Sequence, residues 1–221
     1  MRVSRIQAEE NRQTVINVAS RLFREHGFDG IGLKDLMEGA GLTQGAFYKQ
    51  FASKDDLSAQ AASRALEIAL NRWRAAAEDN PQDPLGGVVA FYLSMEHRAE
   101  RRDGCPVAAL GSDAARHGAE LKASFEAGIK EQLELLGPWI GDTGRNEFSN
   151  RAMAILSTMV GAVVLARAVN DADLAQGFLD TAADQVRAVA AAKESGARRS
   201  SRGQRRGKSR RKVSPRPHVR D

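Results

Sequence analysis

The 221-residue sequence predicts an all-α protein. Apolar residues recur at every third or fourth position along most of the chain, which is the period of an amphipathic helix. Only four prolines occur before residue 195, at positions 81, 84, 106 and 138, and each lies where a helix can begin or end. No alternating apolar run with hairpin signals is present. We therefore expect about nine helices.

The N-terminal part predicts three short helices and one long one. The first carries an apolar face and ends at His26-Gly27, because glycine after a basic residue is a common helix stop. The second covers Leu33 to Ala40, and the third opens at Thr43 and ends near Phe51. Ser53 is a predicted N-cap, and acidic residues follow it in the first turn of a long helix over 53–79.

The remainder predicts five more helices. Four cover 84–102, 106–117, about 146–170 and about 172–193, and the one between the second and third of these carries an apolar stripe of Leu121, Phe125, Ile129, Leu133 and Leu136. The apolar run Ala152–Ala166 is flanked by Arg151 and Arg167. As a helix it rises only ~22 Å, which is short of the ~30 Å hydrocarbon core of a bilayer. We therefore expect a buried helix of a soluble protein, with no membrane association. The polar N-terminus is unlike a signal peptide, so a cytoplasmic location is expected.

Positive charge is concentrated at the C-terminus. Residues 197–221 carry a net charge of +10 and residues 1–196 a net charge of −5. The segment 195–221 also loses its apolar periodicity and is rich in Arg, Ser, Gly and Pro, so we expect a disordered basic tail. With Lys and Arg but no stacking aromatics within 198–212, it favours electrostatic, salt-dependent attraction to phosphate.

The segment Leu33–Phe51, LKDLMEGAGLTQGAFYKQF, has the spacing of a helix-turn-helix. Two short helices meet at the turn Gly39–Leu42, and the second helix of such a unit lies in the DNA major groove. Side chains at the N-terminus of that second helix contact base edges. The predicted DNA-binding residues are Lys34, Thr43, Gln44, Gly45, Ala46, Tyr48, Lys49 and Lys54. Phe47 and Phe51 are expected to pack inward.

Lys54 is placed in the first turn of the long helix, where its charge opposes the helix dipole. The position is therefore unfavourable for helix stability, but it adds to the attraction of backbone N–H groups for a phosphate.

Residues 12–58, and above all the stretch GLTQGAFYKQFASKDDL, resemble the TetR family of bacterial transcriptional regulators. The resemblance implies a homodimer that binds double-stranded DNA, with a three-helix DNA-binding domain (1–52) and a ligand-binding and dimerisation domain (53–194). The helix over 53–79 would connect them. Gly32 departs from the family pattern, which usually has Ser or Thr capping the second helix and touching a phosphate.

Family logic makes the last two helices before residue 195 the dimer interface. The predicted interface residues are Ile155, Met159, Val163, Ala166, Phe178 and Ala182. A pocket for an apolar or aromatic small-molecule effector is expected among the helices over 84–140. Its predicted lining residues are Phe91, Met95, Leu110, Phe125 and Trp139.

Cys105 is the only cysteine, which rules out an internal disulfide and fits a reducing compartment. It precedes Pro106 at a predicted helix start with Arg101 and Arg102 nearby, an environment that lowers a thiol pKa. Cys105 is therefore either a thiol sensor of oxidants or electrophiles, or a small buried residue at a helix end. The four histidines are scattered, so neither a metal site nor a cofactor is predicted.

The leading function is a ligand-responsive transcriptional regulator, most simply a repressor that releases a palindromic operator. The alternatives are a thiol-sensing repressor that uses Cys105 and a non-specific nucleic-acid-binding protein that uses the basic tail. An enzyme is not predicted, because no nucleophile–base pair, phosphate-binding loop or catalytic carboxylate pair is apparent. The sequence leaves activation or repression open.

Overall fold

The computed structural model describes residues 5–142 and 149–192, and every regular element within these ranges is helical. The predicted all-α class is confirmed. The elements are α1 (Arg5–His26), α2 (Leu33–Gly39), a 3-10 helix (Gln44–Lys49), α3 (Lys54–Glu78), α4 (Pro84–Tyr92), α5 (Met95–Ala99), α6 (Pro106–Ala114), α7 (Ala119–Trp139), α8 (Asn150–Ala168) and α9 (Ala172–Ala191). The predicted basic tail over 195–221 lies outside the described residues.

The N-terminal head consists of α1, α2 and the 3-10 helix and packs on the first half of α3. Its apolar core is centred on the fully buried side chains of Phe23, Leu36, Met37 and Phe47. The same cluster continues into α6 and α7 through Leu110, Ala114, Leu121 and Phe125. Side chains from the C-terminal half of the chain therefore complete the core of the head.

A second apolar cluster holds the C-terminal half together. It joins the second half of α3 to α4, α7, α8 and α9, with Trp73, Tyr92, Leu136, Ile155 and Met159 buried at its centre. α8 and α9 form the most extensive helix pair. The long helix α3 contributes side chains to both clusters and therefore packs against the head and against the C-terminal helices.

The helices of the structure differ from the predicted helices at two places. The predicted helix over 84–102 is two helices, because the chain breaks at Leu93 and restarts where the Ser94 hydroxyl accepts a hydrogen bond from the His97 N–H. The predicted helix after Thr43 is a 3-10 helix of 6 residues. The 3-10 form is tighter than an α-helix and is typical of short pieces.

By length and hydropathy alone, α8 is apolar enough to cross a membrane, with a mean hydropathy of 1.5. Such a helix is weak evidence for a membrane span, since the core helix of a soluble protein passes the same test. In this fold 39% of the helix window is buried inside the subunit. The rest of the helix exposes apolar side chains, including those of Met153, Val164 and Leu165.

Candidate nucleic-acid interface

The turn between α2 and the 3-10 helix is closed by backbone hydrogen bonds. The Leu42 N–H donates to the Met37 carbonyl (2.9 Å) and the Gly41 N–H to the Glu38 carbonyl (2.9 Å). This is the pairing of a Schellman motif, which needs a left-handed residue just after the helix cap. Gly41 supplies it with φ of +71°. The sharp turn sets the angle at which the 3-10 helix leaves α2.

Two aromatic side chains anchor the 3-10 helix to the head. Phe47 is fully buried, and its ring stacks on that of Phe51 at a centroid distance of 5.5 Å. The guanidinium of Arg12 on α1 lies 5.3 Å from the centre of the Phe51 ring and its Nη2 donates to Gln60 on α3. The prediction that both phenylalanines pack inward is confirmed, and it fixes which face of this helix points outward.

The outward face carries the predicted base-contacting residues. Thr43, Gln44, Gly45, Tyr48 and Lys49 are all exposed, with Tyr48 72% exposed, whereas Ala46 is half-buried. Within the described residues, the side chains of Thr43, Gln44, Tyr48 and Lys49 form no hydrogen bond or ion pair with the rest of the chain. Their donors and acceptors are therefore available to an external partner.

Two further predicted residues flank this face. Lys34 is exposed on α2, where its Nζ lies 3.8 Å from a carboxylate oxygen of Glu38. Lys54 opens α3 and is half-buried. The start of α3 is held by a capping box, in which the Asp56 N–H donates to Ser53 Oγ (3.0 Å) and the Ala52 N–H to Asp56 Oδ2 (3.0 Å). Gly32 caps α2 without a side-chain hydrogen bond, as its lack of a hydroxyl requires.

Known proteins resemble this chain in the helix-turn-helix and beyond it. Residues 15–61 match the family model described as bacterial regulatory proteins, tetR family. The regulator LmrA of Bacillus subtilis is 23% identical over 161 residues, covering 71% of this chain and 85% of LmrA. These matches support a TetR-family transcriptional regulator. The chain is a DNA-binding transcriptional regulator, and TetR-family regulators are soluble DNA-binding proteins that are not known as enzymes.

Two further comparisons describe the extent of the likeness. The transcriptional repressor KstR2 of Mycobacterium tuberculosis is 28% identical over 94 residues, which span 41% of this chain and 47% of KstR2. A TetR regulator from Chloroflexus aurantiacus has a fold with a TM-score of 0.69 at 24% identity, covering 82% of this chain and 96% of that one. The likeness to the solved structure extends the fold assignment over most of the chain.

The predicted dimer-interface residues require a correction. Ile155, Met159, Val163 and Ala166 on α8 and Ala182 on α9 are buried in the core of the subunit, and only Phe178 is partly exposed. The apolar stripe of each helix faces the rest of its own subunit, and a second apolar stripe lies on the opposite side. That stripe comprises Met153, Val164 and Leu165 on α8 and Leu174 on α9.

The predicted effector-pocket residues are not brought together. Leu110 is buried in the core of the head, while Met95 and Trp139 pack against the C-terminal cluster. Phe91 lines a small cavity with Arg72 and His97. Phe125 alone of the five lines an open groove between α6 and α7, which has a volume of about 590 Å³.

The segment 97–105, which we call the joint segment, is held by arginines from three helices. Arg24 on α1 donates from Nη1 to the Gly104 carbonyl (2.9 Å), and Arg72 on α3 donates to the Asp103 carbonyl (2.6 Å). Arg167 on α8 donates to the carbonyls of His97 (2.9 Å) and Arg98 (3.0 Å). These bonds tie α8 to the N-terminal head through one short segment.

Sequence reasoning missed these arginines, because an isolated arginine usually indicates a solvated surface. A signal was present for Arg24, which shares the apolar face of α1 with Ser20 and Phe23. Its side chain is fully buried, and burial lowers its pKa to about 10, so it remains charged at neutral pH. A buried cation is costly unless hydrogen-bonded, which makes the bonds to Ser20 and Gly104 structurally important.

Cys105 caps the start of α6 and is only 2% exposed. Its N–H donates to Nε2 of His97 (3.0 Å), whose Nδ1 lies 2.6 Å from the Tyr92 carbonyl. The pKa of His97 is lowered to about 4 by burial, so the ring is neutral and donates from Nδ1. The Tyr92 hydroxyl is buried beside the Cys105 thiol, and Arg24 Nη2, also buried, lies 3.8 Å from a carboxylate oxygen of Asp103.

Among the described residues, no group of three or more His, Cys, Asp and Glu side chains is arranged to hold a metal ion. His26 lies beside Glu25, and His117 lies 3.7 Å from a carboxylate oxygen of Asp29. His97 has both ring nitrogens engaged within the fold. His218 lies outside the described residues.

Proposed function

We propose that this regulator is a homodimeric repressor that binds a palindromic operator through the exposed face of its 3-10 helix and releases it when a small molecule binds. The observation that carries the proposal is the set of exposed, unpaired polar side chains on a helix anchored by Phe47 and Phe51. A helix-turn-helix places such side chains at base edges in the major groove.

The chemistry of this face supports a division of roles. Gln44 and Thr43 offer both donors and acceptors, which suit base edges. Gly45 leaves open space above the helix backbone, because no atom from another part of the chain lies within 4 Å of the place a Cβ would take. DNA can therefore approach closely. Tyr48, Lys49 and the flanking Lys54 suit phosphate contacts, which position the protein without choosing sequence.

The dimer is supported by the outer stripe of α8 and α9. Met153, Val164, Leu165 and Leu174 are each between 41% and 49% exposed, and exposed apolar side chains on neighbouring helices are typical of interfaces. Pairing these stripes across a two-fold axis would bury them in a four-helix bundle. Two heads would then face half-sites about one helical turn (~34 Å) apart.

The joint segment supports a route for release. It touches α8 of the dimerising half through Arg167 and α1 of the head through Arg24. A ligand that binds one arrangement of these helices better than another would shift the spacing of the two heads. A regulator of this kind works on chromosomal DNA, and we therefore assign it to the cytoplasm.

The operator is tested by selecting sites from a pool of random DNA duplexes with the full-length protein. We expect an inverted repeat, protected symmetrically in a footprint. Gln44→Ala is expected to weaken binding to the selected duplex by ~10- to 100-fold and to relax base preference at one position in each half-site, since a good side-chain–base pair contributes ~1–3 kcal/mol.

Gln82→Ala is the matched control, because Gln82 is exposed in the loop before α4 and is remote in sequence from the head. It should bind like the wild type. Uniform coating of the DNA without a discrete site would overturn the proposal in favour of non-specific binding by the basic tail.

A second candidate, thiol sensing by Cys105, is favoured by two buried donors close to the thiol, the Tyr92 hydroxyl and the Arg24 guanidinium. Both would donate to an oxidised sulfur, and the present partner of Arg24 Nη2, a carboxylate oxygen of Asp103, is 3.8 Å away. Against it stands the burial of Cys105, because sensor thiols are typically accessible.

The test of this candidate is alkylation of the native dimer with iodoacetamide, followed by binding to the selected operator. Full modification of Cys105 is expected to weaken binding at least ~10-fold, since the adduct must displace Arg24 or Tyr92 from a packed site. Unchanged affinity of the fully modified protein, verified by mass spectrometry, would remove the candidate. Cys105→Ala treated in the same way is the control for damage elsewhere.

A further inference from the structure

The open groove between α6 and α7 is a binding-site candidate by size and composition. Its volume of about 590 Å³ lies within the ~300–1,000 Å³ range of small-molecule sites. The α6 wall is built from small residues, Gly111, Ala114 and Ala115, and the α7 wall from Phe125, Ile129 and Leu133. Small residues facing large ones leave the space open, and apolar walls open to water favour an apolar occupant.

The rim of the groove carries unbalanced positive charge. Lys122, Glu126 and Lys130 from successive turns of α7 line the groove. Lys130 Nζ lies 2.7 Å from a carboxylate oxygen of Glu126, and this hydrogen bond lowers the pKa of Glu126. No carboxylate of the described residues lies within ion-pair distance of Lys122. Lys122 also lies in the first turn of α7, where the backbone N–H groups favour an anion.

Residues that line the groove also pack against the DNA-binding head. Ala114 and Phe125 line the groove and also belong to the apolar core of the head. The Phe125 ring makes an edge contact with Phe28, at a centroid distance of 6.5 Å, just after the end of α1. On α6, Asp113 lies so close to Gly27 that a Cβ on that glycine would meet the Asp113 carboxylate at 2.8 Å. Separation of α6 from α7 would therefore move the support of α1.

We propose that the groove between α6 and α7 binds an amphipathic carboxylic acid, with its apolar chain against Phe125, Ile129 and Leu133 and its carboxylate at Lys122. This inference rests on the proposed function, for which it specifies the class of effector and its site. A neutral apolar ligand would leave Lys122 unpaired, and a cationic one would be repelled by it. Binding pushes α6 and α7 apart at Ala114 and Phe125, and because both residues also pack in the core of the head, the head is displaced.

The experiment measures binding of sodium dodecanoate to the full-length protein by isothermal titration calorimetry below the micelle concentration. Dodecanol and dodecyltrimethylammonium are the neutral and cationic probes. Dodecanoate is expected to bind ~3- to 5-fold more tightly than either, because Lys122 is exposed and an exposed ion pair contributes at most ~1 kcal/mol. Equal binding of the three probes, or no binding of dodecanoate, would overturn the proposal.

Two kinds of variant locate the site. Gly111→Leu fills the groove, because a Cβ there would have only Val107 Cγ1 nearby, at 3.7 Å. It should weaken dodecanoate binding at least ~10-fold, and Ala115→Leu, at an exposed position of the same wall, provides a second variant if the first misfolds. Wild-type affinity in a folded groove-filled variant would count against the site.

Lys122→Gln should bind dodecanoate and dodecanol alike, whereas Arg74→Gln, which removes one exposed positive charge from α3, should keep the preference for the acid. A retained preference in Lys122→Gln would overturn the role of Lys122.

Operator binding is measured separately in the absence of ligand. Its failure in the wild type would count against the proposed repressor, while failure of dodecanoate to bind would count against the groove alone.

Discussion

Replacing Val164 by glutamate is expected to convert the proposed dimer to monomers and to weaken operator binding at least ~100-fold. Val164 is 42% exposed on the outer stripe of α8, about one turn before the end of the helix. In a two-fold interface each subunit contributes the same residue, so the variant would place two carboxylates in an apolar contact. Burying unpaired charges is strongly unfavourable.

The loss of affinity follows from losing the second half-site. Binding of the first head raises the effective concentration of the second, which contributes ~10²–10⁴ to the affinity of a bivalent complex. Analytical ultracentrifugation gives the oligomeric state, and a gel shift on the selected duplex gives the affinity. Ala123→Glu, which adds the same charge at an exposed position of α7, is the matched control and should remain dimeric. A dimeric Val164→Glu protein would refute this interface.

Replacing Arg24 by methionine is expected to lower the free energy of unfolding by ~2–4 kcal/mol. The variant loses the hydrogen bonds to the carbonyls of Ser20 and Gly104, and it leaves the buried Gly104 carbonyl without its donor. Hydrogen bonds to charged groups contribute ~1.5–3 kcal/mol each, and relief of the buried charge offsets a part of that loss.

Urea denaturation at a fixed protomer concentration measures the effect, because the stability of a dimer depends on concentration. Arg21→Met is the control, since Arg21 bonds to Asp103 of the same segment (2.7 Å) with a side chain that is 55% exposed. An exposed ion pair contributes at most ~1 kcal/mol. Equal losses in the two variants would show that burial of Arg24 is not what makes the contact important.

The sequence predicted the head well because its signals are local. Gly27, Gly41, the Ser53 cap, Phe47 in the 3-10 helix and Phe51 just after it each determine the conformation within a few residues of themselves. The exposure of the polar side chains around Gln44 follows from the burial of Phe47, because the neighbours of an inward-facing residue on a short helix face outward. The type of helix after Thr43 could not be predicted from the sequence, because a run of 6 residues is too short for periodicity to separate α from 3-10 geometry.

The C-terminal half was harder to predict because its helices are apolar on more than one face. On α8, one stripe enters the subunit core and another stays exposed, and the sequence does not distinguish them. The predicted interface therefore named the inner stripe. The contacts of the joint segment could not be predicted from the sequence for another reason. The hydrogen bond from Arg24 to the Gly104 carbonyl joins residues 80 positions apart. Such pairings depend on the packing of complete helices.

The shared core of the head has a consequence for how regulators of this kind diversify. Leu110, Ala114, Leu121 and Phe125 complete a core whose other members lie between Val15 and Leu66. A chimera joined at residue 52, with a foreign C-terminal part, would lose all four of these side chains along with Leu57, Ala61, Ala62 and Leu66 of the same core. Modular exchange between relatives therefore requires α6 and the start of α7 to be inherited together with the DNA-reading part, although they lie far from it in the chain.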